Sequence, residues 1–282
     1  MRLHFLLGFM AEALVILIAA KVIRDRIWAL RGYRVNDMVV RTGSLGAATT
    51  QAGYLVGVLL GFLGAITGKG GESGFVGAAG AVALAGLVAI VLQTVADVLS
   101  DKFIFRGVDD RQATLEGSNL ALALGKAAVS VATGLVLRGA MSDPEAGLLA
   151  RVGWFGAAQL LMVLAVLLYC RLTPYDDLAE IRRNNLAAAF PIAGILLAIG
   201  FVMEAAVSGR SSASTGASVV QAATFLGVSL VLVYAFRLLC DLVMLPRVKL
   251  TEAIVEQKNV AAGLQQGVSF VLASLIVTFF LA

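Results

Sequence analysis

Residues 182–209 read RRNNLAAAFPIAGILLAIGFVMEAAVSG. Two arginines and two asparagines lead into a run from Leu186 to Val207 whose one charged residue is Glu204. A helix needs about 20 mostly apolar residues to cross a bilayer, so this run is a membrane span with a polar entry. Residues 41–68, RTGSLGAATTQAGYLVGVLLGFLGAITG, follow the same pattern. Arg41 stands for Arg182, Leu45 for Leu186, Ala47-Ala48 for Ala188-Ala189, Ala52-Gly53 for Ala193-Gly194 and Gly68 for Gly209. A duplicated, all-α membrane protein is the fold that these two stretches predict.

Working outward, eight windows qualify as spans: 3–23, 45–67, 75–99, 119–139, 149–172, 186–208, 217–245 and 259–281. The composition agrees. Of 282 residues, 60% are hydrophobic and 14% charged, against about 25% charged in a soluble domain, so too little charge remains to coat a soluble surface. The connections 24–44, 100–118, 173–185 and 246–258 hold or border fifteen of the 22 basic residues. The positive-inside rule makes them cytoplasmic and turns both termini outward. A net charge of +4 thereby reads as topology, not as affinity for nucleic acid. Cys170 and Cys240 belong to no metal or disulfide spacing and read as small apolar fillers. The first connection, RDRIWALRGYRVNDMVV, mixes Trp28, Leu30 and Tyr33 with arginines, the pattern of an interfacial helix on an anionic leaflet or of an ordinary amphipathic linker.

The duplication extends over both halves, 1–140 and 149–282. Glu12 falls on Gln159, Arg24 on Arg171, Asp97 on Asp241 and Lys126 on Gln266. Ala113-x-x-Glu116-x-x-Asn119-x-Ala121 falls on Ala253-x-x-Glu256-x-x-Asn259-x-Ala261. Four spans per copy is an even number, so both copies enter the membrane in one orientation. A pseudo-twofold axis along the membrane normal is expected between them. Asn119, Asn185 and Asn259, each in an Asn-x-Ala element, open spans four, six and eight, with Ser44 at the matching place in span two. Asn and Ser cap helix N-termini, and four such termini on one side of the membrane also offer a shared site for an anion or head group.

The second half, through Thr173-Pro174, Asn185-Leu-Ala-Ala-Ala, Gly194 and Asn259-Val-Ala-Ala-Gly263, resembles the YjfL-like bacterial inner-membrane family, domain of unknown function 350. The first half resembles a diverged copy, without the Pro and with Gly43-Ser44 in place of Asn. The resemblance implies a multi-pass bacterial inner-membrane protein and brings no established activity with it.

Ionisable residues at membrane depth are expensive, which makes each a candidate for function. Glu12 is the deepest carboxyl, with Gln159 as its mate; Asp97 and Asp241 lie near the cytoplasmic ends of spans three and seven. Gln93 and Arg237 precede these aspartates by one turn, which predicts an Arg237–Asp241 pair. Lys126 is expected to snorkel to the interface, with Asp97 or Glu116 as the alternative partner. Glu204 is expected at the outer interface. Gly53, Gly57 and Gly61, with Gly194 and Gly263, are expected to let helices approach closely. Gly68-Lys69-Gly70 lacks the rest of a phosphate loop, and the lone His4 suggests no catalysis. With no catalytic triad, metal spacing or nucleotide fingerprint, neither an enzyme nor a cofactor is expected. The expected function is a channel or secondary transporter for ions or small cations, with a path at the repeat interface lined by Glu12, Gln159, Asp97, Asp241, Asn119 and Asn259. The alternative is a membrane scaffold that binds anionic lipid or a peripheral protein. The lipid bilayer is the expected partner, and a homo-oligomer is compatible with the sequence.

Overall fold

The computed structural model describes residues 3–69, 75–106, 119–143, 145–208, 215–244 and 249–281. All the regular elements among them are helices: α1 (Leu3–Leu30), α2 (Val35–Arg41), α3 (Leu45–Lys69), α4 (Phe75–Phe103), α5 (Leu120–Met141), α6 (Leu148–Leu172), α7 (Asp177–Arg182), α8 (Leu186–Val207), α9 (Thr215–Met244) and α10 (Val260–Leu281), with a π-helical turn at Glu252–Glu256. Seven helices among the described residues, α3 to α6 and α8 to α10, are long and apolar enough to cross a membrane. The 28-residue α1 is not among them, and Glu12, Lys21 and Arg24 interrupt its apolar run.

Four helices form an open row in the order α3, α5, α8, α10. Glycine makes the row. A Cβ on Gly53 would lie 2.4 Å from Ala127 Cα, and one on Gly134 2.4 Å from Gly57 Cα. A Cβ on Gly200 would lie 2.8 Å from Ala132 Cα, one on Gly194 2.3 Å from the Gly267 carbonyl, and one on Gly263 2.1 Å from that of Ala187. Backbones therefore touch at Gly53, Gly57, Gly194 and Gly263, as the small-residue pattern predicts, and Gly61 meets Leu137. The numbers of the residues that touch rise together along every pair, so the four helices run in one direction. Within their membrane windows α5 and α8 are 78% buried and α9 only 17%. The row is thus the protein core, and α1, α4, α6 and α9 flank it and face lipid.

This row contradicts the expected pseudo-twofold axis. Such an axis exchanges α3 with α8 and α5 with α10, so the α5·α8 contact would require an equal α10·α3 contact. Instead, α3 and α10 stand at opposite ends. The copies are related by a step of two helices along the row, a head-to-tail relation of the kind that leaves open ends. Large apolar side chains finish the α10 end. In the copies' register Leu272 replaces Ala132 and Phe279 replaces Gly139, and both are exposed.

Three of the row helices are entered in the same way. Before α3, α8 and α10 comes a short helical piece (α2, α7 or the π turn), then a residue of positive φ, then the cap. The left-handed residues are Gly43 (φ 65°), Asn184 (57°) and Lys258 (49°), an uncommon conformation for the non-glycines. The N–H groups of Ser44, Asn185 and Asn259 close the motif on the carbonyls of Met38, Glu180 and Ala253. Residues 107–118, which precede α5, lie outside the described residues.

The first connection is not one interfacial helix. Helix α1 continues through Arg24 to Leu30, the chain turns at Gly32 (φ 90°), and α2 follows. Trp28 and Val35 pack on Ala47 inside the protein, so this aromatic pattern serves the core and not the lipid surface. Cys170 is free and partly buried; the side chain of Cys240 lies outside the described residues.

Candidate functional site

Four helices of the first copy bring a set of charged and polar side chains together. On α4, Gln93, Asp97 and Asp101 recur every four residues and so share one face. Arg24 of α1 donates to Asp97 Oδ2 at 2.8 Å, with both side chains largely buried. Ser130 Oγ of α5 and Gln93 Nε2 donate to Asp97 Oδ1 at 2.9 and 3.2 Å. Lys126, one turn before Ser130, pairs with Asp101 at 2.9 Å while its own side chain is 8% exposed. From α3, Tyr54 exchanges a 3.0 Å hydrogen bond with Thr94, and the Arg24 guanidinium lies 4.1 Å over its ring. These groups enclose a cavity of about 50 Å³ lined by Arg24, Trp28, Tyr54, Asp97, Asp101 and Lys126, among others. Ser100 Oγ, on the cavity wall, and Gln93 Oε1, behind it, are buried and find no hydrogen-bond partner among the described residues. Such orphans mark room for a polar occupant.

The depth follows from helix rise. Asp97 lies six residues and Gln93 ten residues before the end of α4, about 9 and 15 Å along the axis. The cavity therefore reaches from the end of the helix bundle toward mid-membrane. Beyond it, Val58, Phe62 and Ile90, all fully buried, close the space.

The second copy has a counterpart. A cavity of about 70 Å³ is lined by Tyr169, Thr173, Tyr175, Tyr234, Arg237 and Gln266. Arg237 occupies the place of Gln93, and Gln266 that of Lys126. The basic group has moved from the fourth helix of the copy to the third, where its guanidinium lies 5.2 Å over Phe270. Beside this cavity the Thr173 hydroxyl donates to Asp177 Oδ2 at 2.6 Å. Burial lifts the Asp177 carboxyl to about 6, and the Thr173 bond opposes that lift. Burial and the nearby Asp177 charge push the Tyr175 phenol up in turn.

A native value above the unfolded one means that folding favours the protonated acid. This stabilisation is complete below about pH 4 and is lost as pH rises through 6, a change of about 3 kcal/mol for two pH units. Asp177→Asn is therefore expected to flatten the stability profile between pH 4 and 6 and to raise stability at pH 7. Unfolding followed in detergent across that range checks it, and an unchanged slope would contradict it.

The remaining predicted residues fall elsewhere. Lys126 does not snorkel, nor does it meet Asp97. Asp101, which leans in from α4 at the right height, holds it inside. Glu12 does not line the cavity, and its Oε2 is buried without a partner among the described residues. Its mate Gln159 donates to Thr133 Oγ1 at 3.2 Å, which ties α6 to α5. Glu204 is not a plain interfacial residue, for Arg138 of the other copy pairs with it at 3.2 Å. The Asp241 side chain and all of Glu116 lie outside the described residues, and with them the expected partners of Arg237 and Lys126. The interface between the copies, α5 against α8, is packed with apolar side chains. Between α5 and α8 lie Ala132, Val136, Leu196, Ile199 and Met203, all buried. Sequence reading passes over Arg24, Tyr54, Thr94, Asp101 and Ser130 as site residues. The four-residue spacing of Gln93-Asp97-Asp101 and of Lys126-Ser130 signals Asp101 and Ser130, whereas Arg24, Tyr54 and Thr94 carry no such signal.

The asparagines do more than cap. Asn119 Oδ1 accepts from Leu122 N at 2.8 Å while its Nδ2 donates to Ile181 O, just before α8, at 2.8 Å. Asn185 Oδ1 accepts from Ala187 N at 3.0 Å while its Nδ2 donates to Ile254 O, just before α10, at 2.9 Å and to Glu180 at 2.8 Å. Each one fastens its own helix to the entry of the next. Asn259 ends the series as an exposed cap on Ala262 N. The N-termini of α5 and α8 are thus held by protein groups and do not gather at an anion site. Asn185→Ala is expected to cost about 1–2 kcal/mol. Asn185→Asp, ordinarily an equal cap, is expected to cost more, since it loses both donations and sets a carboxylate against Glu180. Equal stability of the wild type and the Asn185→Asp variant in detergent unfolding would refute the clamp.

A row of parallel spans with two polar cavities in matching positions defines a multi-span helical membrane protein built from two copies of one unit. The Domain of Unknown Function (DUF350) family matches the chain twice, over residues 2–141 and 144–281. The chain belongs to that family, in two tandem copies. No curated protein and no solved structure matches it.

Proposed function

We propose that this protein is a channel or secondary transporter for small cations and that cations bind in the polar cavity of the first copy. One observation carries the reading: two carboxylates, Asp97 and Asp101, face three basic side chains, Arg24, Arg31 and Lys126, around a cavity within the membrane-spanning bundle. A buried ion pair adds little or no stability over apolar packing, so the buried Arg24–Asp97 pair, with the half-buried Lys126–Asp101 pair beside it, needs a reason other than folding. The acids stand on one helix and the bases on two others. A cation that reaches Asp101 and Asp97 competes with Lys126 and Arg24, and its binding loosens α4 from its neighbours. Among the described residues no three His, Cys, Asp or Glu side chains gather as a metal cluster. Two carboxylates that a cation reaches only by displacing their basic partners, with the hydroxyls of Tyr54, Thr94, Ser100 and Ser130, suit an exchanging cation.

In this reading α1 is an eighth span, despite its charges, because Arg24 is neutralised by Asp97. The eight spans put the copies in one orientation, with the cavity side and the basic connections in the cytoplasm and both termini outside. A bacterial inner membrane fits this arrangement. Purified protein in liposomes, loaded in turn with protons, sodium, potassium and a linear polyamine, tests the reading. Flux of at least one cation is expected, reduced roughly tenfold by Asp101→Asn. No flux of any of the four, or flux unchanged by that substitution, would refute it.

A further inference from the structure

The polar cavities leave unexplained a larger, apolar cleft of about 430 Å³ at the other end of the second copy, between α6, α8 and α9. Its floor is Ala158, Met203 and Ala206, and its mouth is Gly153, Ala157 and Ala223, exposed on the flank. We propose that this cleft binds one acyl chain of a phospholipid.

The first copy shows what makes the cleft. There α1 closes on α4, and Ile16 lies where a Cβ on Gly86 would meet it at 2.8 Å, with Phe62 at 3.0 Å filling the space behind. In the register that pairs Asp97 with Asp241, Leu230 takes the place of Gly86. In the register that pairs Leu45 with Leu186, Met203 takes that of Phe62. Here α6 and α9 pack on α8 and hardly on each other. The opening that remains lies among membrane helices, and Trp154 is the one polar side chain in its lining, whereas a held water requires several polar partners. Hydrocarbon is the medium outside its mouth. A cavity of about 150 Å³ takes a benzene ring, so this one has room for well over a dozen chain carbons. The small residues at its mouth give lateral entry from the bilayer, while Trp154 on its wall suits the boundary with the head group.

Native mass spectrometry of the full chain, after repeated washing in detergent, tests this site. The wild type is expected to retain one phospholipid. Gly153→Leu, which obstructs the mouth, and Met203→Phe, which gives the floor the residue of the first copy, are each expected to reduce retention roughly tenfold. Thermal unfolding in the same detergent identifies a variant that has merely failed to fold, and two substitutions on different helices keep the test open if one does. A wild type without retained lipid, or equal retention by the wild type and a folded variant, would overturn the proposal. The cleft stands apart from the cation site, so either result leaves the cation reading to its own flux test.

Discussion

Truncation of Asp97 to alanine is expected to destabilise the protein by about 3–5 kcal/mol, the usual cost of removing one partner from a buried ion pair. Asp97 accepts from Arg24, Gln93 and Ser130. Its loss leaves the Arg24 guanidinium and the Ser130 hydroxyl without that acceptor in a cavity whose other carboxylate, Asp101, is paired with Lys126. Arg24 has its ring contact with Tyr54 as compensation, worth only about 1–2 kcal/mol. The double substitution Arg24→Met with Asp97→Leu removes both charges, and here the expectation reverses. Apolar residues of similar size in place of a buried pair are commonly neutral or stabilising, so the double variant is expected to recover most of the loss. Unfolding in detergent of the single and double variants measures this coupling. A double variant as unstable as Asp97→Ala would show that the two charges are not each other's main partners.

The second large effect concerns the row. Gly134→Ala puts a methyl where the backbone of Gly57 already stands, 2.4 Å from its Cα. Neither helix has a flexible side chain at that point to move aside. Overpacking costs about 1–3 kcal/mol when neighbours can relax, and a backbone contact sits at or above the upper end. Gly156→Ala is the matching control. Nothing lies within 4 Å of a Cβ there, and alanine favours a helix over glycine by up to about 1 kcal/mol. Opposite signs for the two substitutions are expected in detergent unfolding; equal effects would contradict the tight α3–α5 crossing.

Much of the fold is legible in the chain because membrane spans are local. The apolar runs opening at Leu45, Leu120, Leu186 and Val260 end within a few residues of the helix limits, since length and hydropathy alone decide them. The asparagines announce their caps, because capping is decided within three residues. What the sequence hides is which faces meet. Counting spans fixes orientation but not symmetry, and for that reason it suggests a twofold axis where the glycines build a row. Lys126 and Asp101 are 25 positions apart with a connection between them, so no helical spacing foretells their pair. Glu12 stands out in the sequence because its surroundings are apolar, and the same surroundings keep it apart from the cavity lining. Of the charges that do meet, Asp97 is a candidate in the sequence while Arg24 reads as a basic residue that sets topology, and only the continuation of α1 to Leu30 brings the two together.

Cation flux into liposomes that hold either the wild type or the Arg24→Met, Asp97→Leu protein tests the proposed site most directly, because the double variant is expected to fold. The wild type should carry a cation and the folded double variant should not. Equal flux from the two proteins would contradict a role for this cavity in transport.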